Sequence, residues 1–382
     1  MKIAIVCFPT FGGSGVVATE LGLAFADKGH EIHFVTYQQP VRLAQLNKNV
    51  FFHEVQVPDY PLFNHQPYDL ALSSKLVNVI RKHQIDVLHV HYAIPNAYAA
   101  YMAKTMLKDE GYHIPIITTL HRTDVSLVGS HPFYKPAVAF SINHSDCVTA
   151  VSHSLKNMTY DMFDIQRSIE VIPNFIDASK YEKNKTKPCK RHLVALPEER
   201  ILTHVSNFRK VKRIPDVIRI FEKVSQEVPS KLVMVGDGPE KLKAKKLVDK
   251  LGLSDKVHFL GNSSEIDRIL CWTDLFLLPS EIESFGLSAL EAMANKCAVV
   301  SSNAGGLPEV NQNGTTGFLN DIGDIEGMAA SAIHILEDED RLKEFKDRAQ
   351  EHSFKFDIKV ILPLYEAIYD KAYRQARVNQ KL

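Results

Sequence analysis

Short apolar runs alternate with helix-length segments along almost the whole chain, and this rhythm constrains the fold more than any other feature. Lys2 to Phe8 is an apolar run, Gly12-Gly13-Ser14-Gly15 breaks it, and Val16, Val17, Leu21, Ala24 and Phe25 then recur at helical spacing before Gly29. The pattern continues through the runs Ile32–Thr36, Phe51–Val57, Val87–His91, Ile114–Leu120 and Cys147–Val151, with amphipathic stretches such as Leu70–Lys82 between several of them. Strands separated by helix-length connections imply parallel pairing, because a parallel crossover needs a dozen or more residues. Met1 to Val6 reads as the first of these strands and not as a leader, since Pro9 and Gly12-Gly13 interrupt it before a sufficient apolar region forms.

A second series follows Ile172-Pro173-Asn174. Lys180 to Arg191 is lysine-rich and reads as a surface connection, and Ile201–Val205, Leu232–Val235, Val257–Leu260, Leu275–Leu278 and Ala298–Ser301 are the next strand candidates, separated by patterns such as Pro239–Leu251. The expected fold is α/β: two doubly wound Rossmann-like domains facing a central crevice, 1–175 and 176–362. Val360, Leu364, Ile368 and Tyr369 are spaced for a terminal helix within Phe354–Gln375, interrupted by Pro363, and the segment 363–382 is expected to join the first domain. A chain of 382 residues has room for two to three domains at about 150 residues each.

Charge and cysteine content narrow the function classes. Forty-five basic residues balance 45 acidic ones, which leaves no net field to hold a nucleic acid or an anionic bilayer, so any anion must meet a local site. No apolar run approaches the ~18 residues of a membrane span, so no membrane insertion is expected. The five cysteines, Cys7, Cys147, Cys189, Cys271 and Cys297, are odd in number and contain no C-x-x-C, fitting neither a disulfide framework nor a zinc site; a reducing, cytoplasmic location is expected.

Glycines after a first strand and at a helix start suit an anion, because backbone N–H groups can approach it and the helix N-terminus adds partial positive charge. A tight strand-to-helix turn explains the same glycines without a ligand. A dinucleotide site is disfavoured, because G-x-G-x-x-G is not spelled and the second strand ends Thr36-Tyr37 without an acidic residue for a ribose. Thr118-Thr119-Leu120-His121-Arg122-Thr123-Asp124 lies just beyond a strand, where open α/β sheets place ligands, and His89, His91 and Tyr92 end the strand before it. No H-x-x-x-H spacing emerges around these histidines. In the second half, Ser206-Asn207-Phe208-Arg209-Lys210-Val211-Lys212-Arg213 puts four cations after a strand, where they either neutralise a diphosphate or form a solvated loop. Glu283 and Glu291 are eight residues apart, with Ser284-Phe285-Gly286 opening a helix between them; phosphate and sugar hydroxyls would suit this pattern, and so would a capping carboxylate plus an ordinary helix glutamate.

Gly12-Gly13-Ser14-Gly15, the Arg209–Arg213 loop, Val235-Gly236-Asp237-Gly238-Pro239, Glu283-x7-Glu291 and Gly305-Gly306-Leu307-Pro308-Glu309 resemble, in order and over nearly the whole chain, the retaining glycosyltransferases of the GT-B fold, family 4. Phe11 to Val17, Gly29 to Phe34, His89 to Pro95 and Val205 to Arg213 resemble those members that begin bacillithiol biosynthesis. The resemblance implies two small-molecule partners, UDP-N-acetylglucosamine as donor and L-malate as acceptor, with a homo-oligomer left open. It implies catalytic roles for His121, Glu283, Lys212 and Arg209. Donor binding would fall to Gly13, Arg209, Lys212, Glu283, Phe285, Gly286, Leu287 and Glu291, and acceptor binding to Ser14, Tyr92, Thr119 and His121. Neither cofactor nor metal is expected, in keeping with the lack of a convincing Asp-x-Asp motif. The alternatives are another family-4 transferase with a different small-molecule or lipid acceptor, and a UDP-sugar epimerase. Two positions depart from the family: Ser206-Asn207 stands where many members have Gly-Arg, a change shared with the malate-using members, and Arg122 stands where the family commonly has glycine. An arginine there would be strained if the loop needed positive φ.

Overall fold

The computed structural model describes residues 1–9, 13–40, 43, 48–59, 65–184, 191–263 and 265–379. Phe11, Gly12, Cys189 and residues 185–190 of the lysine-rich connection therefore lie outside the described residues. The chain divides into two compact units, Met1–Asn174 with Ile358–Leu382, and Phe175–Asp357.

Among the described residues, the first unit contains seven strands: β1 (Lys2–Val6), β2 (Glu31–Thr36), β3 (Val50–Glu54), β4 (Val87–His91), β5 (Ile116–Leu120), β6 (Cys147–Ala150) and β7 (Ile169–Val171). They form one parallel sheet in the order β3-β2-β1-β4-β5-β6-β7. The order reverses between β1 and β4, and at such a switch point the connections leave the strand ends on opposite sides and open a crevice. β1, β4 and β5 are apolar runs because both faces of the sheet are covered. One covering element is the helix Gly13–Asp27, in which Gly22 lets β1 and β2 approach: a Cβ there would lie 2.5 Å from the Phe34 ring.

The terminal helix runs from Ile358 to Asn379, includes Pro363, and belongs to this unit. It begins at Ile358 rather than at residue 363, and Phe354–Phe356 is a separate short turn. Its buried face is Ile361, Leu362, Tyr365, Ile368, Tyr369 and Ala372, whereas Val360 and Leu364 from the expected apolar stripe are exposed. Tyr365 and Tyr369 form a third of the seam, and the Tyr365 hydroxyl keeps that position out of a reading based on aliphatic spacing.

The second unit contains β8 (Arg200–Val205), β9 (Ser230–Val235), β10 (Val257–Gly261), β11 (Leu275–Leu278), β12 (Ala298–Ser302) and β13 (Gly317–Asn320), parallel throughout in the order β10-β9-β8-β11-β12-β13. Its core joins Leu202, Leu232, Met234, Leu275, Leu277 and Val300 of the sheet to Val217, Phe221 and Val224 of the helix Ile214–Glu227. Short β7 and β13 were not expected as strands: three or four residues at a sheet edge carry little apolar signal. The helix Ala178–Asn184 overlaps the start of the expected surface connection Lys180–Arg191. Cys7, Cys147, Cys271 and Cys297 are free thiols, and no helix among the described residues is long and apolar enough to cross a membrane.

Candidate functional site

In the first unit, chemistry gathers where β1, β4 and β5 end. Gly13 is exposed and opens the helix that follows β1, and Ser14 stands next to it. Tyr92, just past β4, has φ 79°, a region that L-residues rarely adopt. Three neighbours hold it there. Its backbone N–H donates to the Thr119 carbonyl at 2.9 Å, the Phe8 ring meets its ring edge-on at 5.0 Å, and the hydroxyls of Tyr92 and Ser14 are hydrogen-bonded at 2.5 Å. The strained turn thus brings the phenol to the helix start. His121, just past β5, packs its ring 4.8 Å from that of Tyr92 and hydrogen-bonds through Nε2 to Nδ1 of His91 at 3.0 Å. Burial pushes the His121 imidazole down to about 3, so it is neutral and exchanges hydrogen bonds without carrying charge.

Asp124 anchors this corner. Its carboxylate accepts from the Ala93 N–H at 2.8 Å and the His121 N–H at 3.1 Å, tying the turns after β4 and β5 together. Burial pushes it up to about 7, against backbone N–H groups that favour its charged form. Thr119 is fully buried, and its hydroxyl is engaged by His89 Nε2 at 2.7 Å and by Thr149 at 2.8 Å. That geometry sets Thr119 behind Tyr92 and His121, with its hydroxyl turned to His89 and Thr149 in the interior. His89 continues the network to the Tyr369 hydroxyl at 2.6 Å, so the terminal helix buttresses the site. Arg122 has φ −61° and ψ −37°, ordinary right-handed backbone, and the strain expected from replacing glycine does not arise.

In the second unit, the loop after β8 carries the cations. Arg209 is exposed at the start of the single turn Lys210–Lys212, and Lys212 pairs with the Glu283 carboxylate, both side chains being mostly buried. Ser280 Oγ also donates to Glu283 Oε1 at 3.0 Å. Glu283 precedes the helix Leu287–Ala294, whose N-cap Gly286 has φ 100° and no side chain capping the helix start. The first N–H groups there have no intrahelical acceptor and suit an anion. Glu291 lies one turn inside, on the same side as Leu287 and Ser288 and away from core-facing Ala289, Leu290 and Ala292.

Two glycine pairs shape these loops by close backbone approach. A Cβ on Gly236 would fall 1.8 Å from the Ser206 carbonyl oxygen, and one on Gly238 2.1 Å from that of Asn207. On the other side, a Cβ on Gly305 would fall 1.9 Å from the Glu283 carbonyl oxygen and one on Gly306 2.4 Å from that of Ser284. The Gly306 N–H donates to the Glu283 carbonyl at 3.1 Å. The glycine-rich turns at 235–239 and 302–309 thus brace the segments that carry the cations and the carboxylate. Asp338, within the Asp338-Glu339-Asp340 stretch, caps a helix by accepting from the Arg341 N–H at 2.7 Å.

Comparison with known proteins matches both units. The family model described as Glycosyltransferase Family 4 covers residues 11–180, and that described as Glycosyl transferases group 1 covers residues 189–352. The N-acetyl-alpha-D-glucosaminyl L-malate synthase of Bacillus anthracis is 46% identical over 370 residues, 97% of this chain and 96% of its own. An uncharacterized glycosyltransferase of Methanocaldococcus jannaschii is 25% identical over 83% of this chain and 84% of its own. Among solved structures, Anabaena HepE in complex with UDP-glucose aligns with TM-score 0.80 at 19% identity, over 97% of this chain and 100% of its own. Sucrose-phosphate synthase from Thermosynechococcus elongatus aligns with TM-score 0.77 at 18% identity, over 98% and 99%. These structures share the fold, and with matches across both units the chain belongs to the GT-B glycosyltransferases of family 4.

Proposed function

We propose that the protein transfers N-acetylglucosamine from UDP-N-acetylglucosamine to the hydroxyl of L-malate with retention of anomeric configuration, the first step of bacillithiol biosynthesis. The observation that carries this reading is the 46% identity to the Bacillus anthracis L-malate synthase over 97% of the chain. The second unit holds the donor: Glu291 takes the ribose hydroxyls, Glu283 a sugar hydroxyl, and Arg209, Lys212 and the N–H groups at Phe285, Gly286 and Leu287 take the diphosphate. The first unit holds malate through Ser14, Tyr92 and His121, with Gly13 N–H as a further donor.

Charge development drives the reaction. As the anomeric carbon–oxygen bond breaks, negative charge grows on the diphosphate, and preplaced cations and N–H donors bind it better than the uncleaved bridge. The malate hydroxyl forms the new bond on the face that the diphosphate leaves, and its proton passes to the departing phosphate oxygen, giving UDP. Neutral His121 and the Tyr92–Ser14 hydroxyl pair supply orientation without needing to ionise, which agrees with the downward push on His121. This chemistry calls for neither cofactor nor metal. Incubating the protein with UDP-N-acetylglucosamine and a panel of hydroxy acids, in excess chelator, tests the proposal by product mass. The expected product is the α-glycoside of L-malate, with succinate inert as acceptor. Transfer to sugars or lipids with none to L-malate, or activity that returns only with magnesium or manganese, overturns it.

A further inference from the structure

Three histidines far apart in sequence meet at the edge of the first unit's sheet. His33 lies in β2, His53 in β3, and His83 ends the helix Tyr68–His83. One ring nitrogen from each falls within 4.8 Å of the other two, the only such cluster among the described residues. His33 Nδ1 and His53 Nε2 are 2.9 Å apart, and the two rings stack at 5.1 Å. His33 is fully buried, whereas His53 and His83 are half-buried and keep one side of the cluster open to solvent.

The second observation is Glu31. Its Oε1 lies 2.9 Å from His33 Nε2. An ionised carboxylate can only accept, so the His33 proton sits on Nε2 and the Nδ1 lone pair points into the cluster. A carboxylate behind a ligating imidazole is the usual outer partner of a metal-bound histidine, fixing its tautomer and ring orientation. Lys2 secures this arrangement: its ammonium pairs with Glu31 at 3.6 Å and donates to the His83 carbonyl at 3.0 Å, joining the start of β2 to the helix end. Phe51 stacks on His33 at 4.9 Å and walls the cluster on another side.

We propose that His33, His53 and His83 form a binding site for a divalent transition-metal ion of the zinc class, with Glu31 orienting His33. Three imidazoles with one open position suit zinc, cobalt, nickel or copper better than magnesium or calcium, which prefer oxygen. Metal–nitrogen bonds of about 2.0–2.1 Å in tetrahedral geometry set nitrogens roughly 3.3 Å apart. The His33–His53 pair must therefore open by only a few tenths of an ångström, and rotation of half-exposed His83 closes the third side. Binding displaces the hydrogen that His53 Nε2 donates to His33 Nδ1, and His53 takes its other neutral tautomer, with the proton on Nδ1. The ion would clamp edge strand β3 to β2 and to the helix end. His83 leads into the start of β4, whereas Ser14, Tyr92 and His121 lie where strands end, so this site is separate from the proposed transferase site.

Titrating chelator-treated protein with cobalt and with zinc tests the proposal. Expected are one bound equivalent with the visible bands of tetrahedral cobalt, a zinc-dependent rise in Tm, and transfer activity unchanged by zinc. His53→Gln and His83→Gln should each weaken binding at least tenfold while folding normally, and Glu31→Gln should weaken it about 10- to 100-fold. Absence of stoichiometric binding, or undiminished binding in the His53→Gln/His83→Gln double variant, overturns it. Since activity is read separately, failure here leaves the transferase reading standing, and the reverse also holds.

Discussion

Replacing Gly305 by alanine separates two things that a glycine can do. The residue has φ 55°, and a Cβ there would lie 1.9 Å from the Glu283 carbonyl oxygen and 3.0 Å from its carbonyl carbon. Non-bonded atoms sit comfortably at about 3.5 Å, so one of the two segments must move by about 1.5 Å. The left-handed backbone alone costs an alanine about 1–2 kcal/mol, and loosening the adjacent hydrogen bond from the Gly306 N–H to the Glu283 carbonyl adds about 1 kcal/mol. Gly314 is the control: φ is 72°, also left-handed, but nothing lies within 4 Å of its Cβ position. Gly314→Ala should therefore lose about 1–2 kcal/mol of stability and no activity. Gly305→Ala should lose about 2–3 kcal/mol and, because Glu283 and its Lys212 and Ser280 partners shift by more than 1 Å, roughly 100-fold in kcat/KM. Denaturant unfolding and steady-state kinetics on both variants, at a temperature where both are folded, provide the comparison. Equal kcat/KM in the two would refute the idea that this glycine exists to let the backbone approach Glu283.

Glu291→Ala should weaken UDP binding by about 1.5–3 kcal/mol, roughly 10- to 100-fold, while Glu283→Ala affects UDP-N-acetylglucosamine more than UDP; unchanged calorimetric UDP affinity in folded Glu291→Ala protein would sink the ribose assignment. Asp124, raised to about 7 in the folded protein from an ordinary value near 4, makes the folded state hold an extra proton between those pH values. Its contribution is full below about pH 4 and lost as pH rises through 7, up to about 4 kcal/mol. Asp124→Asn should flatten that fall in unfolding free energy, and parallel pH–stability curves for the two proteins would contradict it. Arg122→Gly should destabilise by about 0.5–1 kcal/mol, since glycine at a right-handed position only adds unfolded-state freedom; a stabilised variant would mean the arginine is strained after all.

Several site elements were readable because their chemistry is local. A glycine-opened helix after a strand, a run of cations after another, and a glutamate on either side of a helix start each lie within one loop, and backbone geometry keeps such neighbours together wherever the loop goes. Thr119 shows the limit. Its place beyond a strand pointed to a ligand, yet strand alternation turns its hydroxyl toward His89 and Thr149 in the interior. Asp124 was in view as part of a motif, but its bonds to the Ala93 and His121 N–H groups arise from the juxtaposition of two turns. Tyr369 meets His89 across 280 residues, and no pattern in the terminal helix points to that partner.

By itself the sequence determined the parallel α/β series, the start of the second one near residue 175, and the loops that carry the charged groups. Strands covered on both faces must be continuous apolar runs, and helices between them must show their own period, so both are written locally. Tertiary structure alone decided which residues meet across that framework: Gly305 against Glu283, Tyr92 bent to Ser14, and His33, His53 and His83 brought together from two strands and a helix end. Sheet order and helix packing set those distances, and the energy that selects them is spread over the whole core rather than encoded at the positions that touch.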